Sequence, residues 1–130
     1  MLLTIKDTTF SGKIYQEISL EFPTQTVTVR EIVTQRVRAE VEKYNERKDT
    51  YFKGLVEPSE AEKTLNGYKL KNRKAIDAEK QVYVALDAFQ RNGYFVLIND
   101  VQAESLDQEV FLESSTKVSF IKLTPLVGGF

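Results

Sequence analysis

Carboxylates, amines and a glycine pair are the groups with which this sequence can do chemistry. Nineteen Asp and Glu face eighteen Lys and Arg, and cysteine and histidine are both absent from the 130 residues. Their absence removes thiol nucleophiles, His-based triads, zinc fingers, haem–His ligation and disulfide scaffolds. A Mg²⁺ or Ca²⁺ site made of carboxylates stays open, but no spacing singles one out, so neither a metal nor a cofactor is expected. Asp100, Glu104, Asp107, Glu109 and Glu113 share a stretch that holds no Lys or Arg. A solvated loop is the plain reading of that stretch, and a docking patch for a basic partner is the sharper one. No pair among these carboxylates is spaced for general acid–base work. Lys69, Lys71, Arg73 and Lys74 cluster beside Tyr68. At a formal net charge of -1 and without a stacking pattern, that cluster reads as solvated surface, not as a nucleic-acid site. What remains is Gly128-Gly129, preceded by Pro125-Leu126-Val127 and followed by Phe130. Two residues without Cβ make a thin, adaptable tip that lets backbone approach a partner closely. Pro125 holds the chain before them extended.

A folded body must carry such a tip. With 42% apolar residues, 130 residues suffice for one domain with a real core. Residues 2–7 read as a strand and Thr8–Lys13 as a turn. Ile14, Gln16, Ile18, Leu20 and Phe22 then alternate with polar neighbours, the period of a half-buried strand. Together they predict an N-terminal hairpin. Thr28-Val29-Arg30-Glu31 has capping-box spacing. Val29, Ile32, Val33, Val37, Val41 and Tyr44 follow at helical steps, predicting an amphipathic helix to about residue 47. Ser59-Glu60-Ala61-Glu62 repeats the box and predicts a short helix closed by Asn66-Gly67. Asp77 predicts the cap of another helix with Val82, Ala85, Leu86 and Phe89 on one stripe, stopped at Asn92-Gly93. Tyr94–Ile98 is a continuous apolar run, as in a strand buried on both faces. Asn99-Asp100 is a turn with Val101-Gln102 pairing back, and 103–115 reads as loop. In the last strand, Thr116 to Leu123, Val118 and Phe120 share one phase and Ile121 and Leu123 the other. One face can pack on the helix while the other meets a partner. The composite is an α+β fold with a mixed sheet.

The C-terminal half, with Ile98-Asn99-Asp100-Val101, Leu106-Asp107, Lys117–Ile121, Thr124-Pro125-Leu126-Val127 and Gly128-Gly129, resembles ubiquitin-like β-grasp proteins. Within that superfamily it looks most like the small subunit of molybdopterin synthase and related sulfur carriers. The hairpin and capped helix fit the same order. Residues 1–47 and 94–124 correspond to the β-grasp core, a mixed sheet packed on a central helix, with 125–130 as the tail. The intervening 48–93 is a helical insertion, longer than such small carriers have. The chain is thereby identified as a divergent prokaryotic ubiquitin-like protein.

The resemblance implies a carrier or modifier, not an enzyme. A separate adenylating enzyme activates the Gly129 carboxylate for conjugation to a target protein or for transfer of sulfur to an acceptor. Gly128 and Gly129 thread the activating channel, while Pro125, Leu126, Val127 and Phe120 bind the partner. Phe130 departs from the pattern. The resemblance implies that a processing peptidase removes it to expose Gly129. A member that keeps Phe130 is instead a non-conjugated β-grasp interaction module. The opening Met1-Leu2-Leu3-Thr4-Ile5-Lys6-Asp7 becomes charged too soon for a signal peptide, and no apolar run approaches about 18 residues. A cytoplasmic protein with no membrane partner is expected.

Overall fold

The computed structural model describes residues 1–71 and 75–123. The expectations placed on Pro125, Leu126, Val127, Gly128, Gly129 and Phe130, and on Arg73 and Lys74, lie outside the described residues.

The chain opens as the expected hairpin. β1 (Leu2–Thr8) pairs antiparallel with β2 (Ile14–Glu21), from Leu2 opposite Glu21 to Thr8 opposite Ile14. Thr9 and Gly12 close the loop through backbone bonds, with Gly12 at φ +91, a value glycine adopts without cost. Alternation in β2 is buried at one end only. Leu20 and Phe22 are in the core, whereas Ile14 is exposed.

β3 (Thr26–Thr28) leads directly into α1 (Val29–Arg47). Thr28 Oγ1 accepts from the Glu31 N–H at 3.1 Å, the cap its spacing predicts. The whole stripe from Val29 to Tyr44 is buried, and Lys48 ends the helix in a left-handed conformation.

The insertion departs from expectation. Ser59–Glu62 does not start a helix, because Glu60 stands at φ 56. Instead β4 (Ala61–Thr64) and β5 (Gly67–Leu70) form an antiparallel hairpin around Leu65-Asn66. Thr64 Oγ1 accepts from the Asn66 N–H and donates to the Gly67 carbonyl, and Gly67 takes φ +125. The loop residues are Leu65-Asn66, and the glycine that follows them supplies the positive φ that closes a turn of this kind. Here that turn overrides a capping box whose helix would be too short to sustain itself. α2 (Ala78–Gln90) follows, with Asp77 Oδ1 capping the Lys80 N–H at 3.2 Å. It packs against α1.

β6 (Tyr94–Ile98) and β7 (Val101–Gln102) pair across Asn99-Asp100, both left-handed as a tight primed turn requires. The span 103–115, expected as loop, contains β8 (Glu109–Phe111), which pairs with β3. β9 (Val118–Lys122) completes a five-stranded sheet of order β2-β1-β9-β6-β7. β1 and β9 run parallel, and every other pair is antiparallel. The fold is therefore α+β with a mixed sheet. β6 is buried on one face only: Tyr94 and Val96 are in the core, while Phe95 and Leu97 are half-buried. No helix among the described residues is long and apolar enough to cross a membrane.

Candidate functional site

β9 is the strand from which the C-terminal segment departs, and its surroundings define the candidate site. It lies between β1 and β6, with Val118 opposite both Ile5 and Ile98. At its end Lys122 is opposite Tyr94 and donates from Nζ to the Gly54 carbonyl at 3.0 Å. Burial lowers the Lys122 pKa. The core strand is thereby tied to the insertion at its last residue. Leu123, the last described residue before the tail, is 46% exposed.

Beneath the sheet lies a charge cluster that the sequence reading missed. Asp7 continues the inward phase of Leu3 and Ile5 on β1, and Arg36 sits in the inward stripe of α1. The Arg36 guanidinium pairs with both Asp7 oxygens, Nη2 to Oδ2 at 2.7 Å, with both side chains essentially unexposed. It also donates to Glu40 Oε2, one turn along, at 3.2 Å from Nη2. The other Glu40 oxygen accepts from the Leu55 N–H at 3.3 Å. The guanidinium carbon stands 4.6 Å from the Phe120 ring centroid, within cation–π range. Burial opposes the Arg36 charge, but Glu40 and Asp7 more than offset it and raise its pKa.

This cluster clamps the fold rather than offering a reactive group. Among the described residues no buried side-chain polar atom lacks a partner, and no group of three acidic residues is arranged to hold a metal. Its signal in the sequence is positional. Arg36 and Glu40 fall at apolar-stripe steps of α1, and Asp7 falls in the apolar phase of β1.

Glu40 gives the cluster a pH signature. Burial raises its carboxyl above the ordinary 4.5, with the Arg36 charge and the Leu55 N–H pulling the other way. The folded protein therefore holds this proton more tightly than the unfolded chain does. The resulting stability is full below the ordinary glutamate range and is lost as pH rises through the raised folded value. Glu40→Gln keeps one acceptor oxygen and cannot titrate. Urea midpoints compared across a pH series above the ordinary 4.5 should therefore rise less on acidification in the variant than in the wild type. Equal slopes would remove Glu40 from the pH response.

The two phases of β9 separate as expected, but Phe120 is on the other side from the one a partner needs. It is 0% exposed, between the sheet and Arg36. Its neighbour Ile121 is on the opposite face, beside half-buried Phe95. Phe10, from the β1–β2 loop, is 70% exposed and meets Phe95 edge-on at 6.3 Å between centroids. Ile121 is itself buried, so the apolar surface available to a partner on this sheet is Phe10 with half-buried Phe95.

The acidic stretch is largely structural. Carbonyls of Leu106 and Gln108 accept from the N–H groups of Arg30 and Val29, satisfying the first turn of α1. Asp107 pairs with Arg30 at 3.3 Å on the surface, a contact that contributes little stability.

No protein-family model, curated protein or solved structure matches this chain.

Proposed function

We propose that this chain is a ubiquitin-like β-grasp carrier or modifier whose Gly129 carboxylate is activated by a separate adenylating enzyme. The observation that carries the reading is the sheet order β2-β1-β9-β6-β7 with β1 and β9 parallel. An N-terminal hairpin and one long capped helix precede it, as a β-grasp fold requires, and β9 hands the chain at Leu123 to Thr124-Pro125-Leu126-Val127-Gly128-Gly129. The core at 1–47 and 94–124 is interrupted by a 48–93 insertion that contains a hairpin as well as a helix.

The chemistry follows from what the chain lacks. A peptidase hydrolyses the bond between Gly129 and Phe130, leaving a carboxylate on Gly129. That oxygen attacks the α-phosphorus of ATP and pyrophosphate leaves. A thiol or sulfide of a partner then displaces AMP, giving a thioester or thiocarboxylate. Each catalytic group belongs to a partner, so a chain without cysteine or histidine can serve. Gly128 and Gly129 supply the narrow backbone, and the Phe10–Phe95 face supplies an apolar contact for the partner.

The second reading is an unconjugated β-grasp interaction module, favoured by that same half-exposed face. Intact-mass analysis of the protein from its native host separates the two. Carrier function predicts chains ending at Gly129 together with higher-mass adducts. A pool that keeps Phe130 throughout and has no adducts supports the module.

A further inference from the structure

The insertion forms a trough with the end of β9. Its volume is about 780 Å³, within the roughly 300–1,000 Å³ of ligand clefts. The floor is the segment 52–57, and polar bonds fix it in place. The Leu55 N–H reaches Glu40, the Gly54 carbonyl takes Lys122 Nζ, and the Val56 carbonyl takes Gln81 Nε2 at 2.8 Å. Phe52 and Tyr68 exchange two backbone bonds. A Cβ at Gly54 would run into the Phe52 ring, and one at Gly67 would come within 2.9 Å of the Phe52 carbonyl oxygen. The trough is therefore preformed.

Its rim is apolar where it should be wet. Leu65 is 88% exposed, Tyr15 50%, Leu123 46% and Val84 40%. All four line this one trough. They come from the β4–β5 turn, β2, β9's end and α2, so the apolar surface is strung along a channel rather than gathered in a closed cavity. Its charged lining consists of Lys53, Lys63, Lys122 and Glu57, an excess of two positive charges. Lys122 is engaged with Gly54, whereas Lys53 and Lys63 are exposed and have no ion pair among the described residues. The complement of this surface is an extended chain with apolar side chains and acidic groups.

We propose that this trough docks an extended acidic–apolar segment of a partner protein. Leu65, Tyr15, Val84 and Leu123 take its apolar side chains, and Lys53 and Lys63 take its carboxylates, tuning on-rate and specificity. This role is independent of whether Gly129 is conjugated.

The probe is a fluorescein-labelled octapeptide alternating leucine and aspartate, titrated against the full chain by anisotropy and by backbone amide shifts. An octapeptide alternating leucine and lysine is the control. The acidic peptide is expected to bind, to weaken with salt, and to shift amides at 63–68 and 122–123. Lys53→Glu with Lys63→Glu should weaken binding about tenfold with an unchanged thermal midpoint. Leu65→Ser should weaken it as well. The proposal is overturned if the acidic peptide does not bind, if both peptides bind equally, or if the shifts fall on Phe10 and Phe95 instead. Competition by a peptide of residues 124–130 would assign the trough to the chain's own tail. Loss of binding on self-association would assign it to a second copy. Either result overturns the partner assignment.

Discussion

Asp7→Ala is expected to cost this protein about 3–5 kcal/mol, the loss typical of removing one partner from a buried ion pair. For a chain of this size that lowers Tm by on the order of 10–20 °C. Arg36 stays charged and enclosed, and among the described residues its remaining anion is Glu40, at 3.2–3.3 Å. Glu40 must at the same time hold the Leu55 N–H, so the damage extends into the insertion. Amide exchange should accelerate at Leu55 as well as along β1. The comparison that gives this meaning is Asp7→Leu combined with Arg36→Met and Glu40→Gln, which leaves no buried charge in the cluster and keeps an acceptor for the Leu55 N–H. Burying opposite charges costs nearly what their attraction returns, so removing all three together should restore most of the loss. A single variant within about 1 kcal/mol of wild type would mean that the pair is not clamping the sheet to the helix.

Gly129→Val is expected to abolish activation while leaving Tm unchanged. A valine Cβ beside the reacting carboxylate widens the tip, and β-branching stiffens it. The substitution lies seven residues beyond the end of β9 in the sequence. Activity should drop below about a hundredth of wild type with the Gly129-ending protein as substrate, since a misfit of about 1 Å at a reacting centre costs that much. Val127→Asp should act through docking, raising KM more than it lowers kcat. A Gly129→Val protein that is activated normally would leave the glycine pair without a role.

Much of the fold was legible because its signals are local. The Thr28 and Asp77 caps, the Val29–Tyr44 stripe and the Asn99-Asp100 turn each depend on residues within a few positions of one another. The two phases of β9, Val118 and Phe120 against Ile121 and Leu123, were legible for the same reason. Which face turns inward was not, because that depends on where Arg36 and the helix lie, and Phe120 was placed on the wrong side. β3 and β8 are three residues each and exist only through pairing across more than eighty positions. At 59–70 two local signals competed. The Asn66-Gly67 turn prevailed over the Ser59 box because Phe52 bonds to Tyr68 and secures the hairpin from outside. The Asp7–Arg36–Glu40 cluster escaped for a related reason. Charged residues in apolar phases look like interruptions until the partner from another element is beside them. The trough is less visible still, since its rim comes from four separate elements.

The carrier reading rests on one reaction, and intact mass reads it directly. The chain ending at Gly129 is incubated with its cognate adenylating enzyme and ATP, alongside the chain that retains Phe130. The Gly129 form alone is expected to gain the mass of an adenylate, a thioester or a thiocarboxylate, and the Phe130 form to stay unchanged. A Gly129 form that gains none of these, with the enzyme active on another carrier, would contradict the carrier reading.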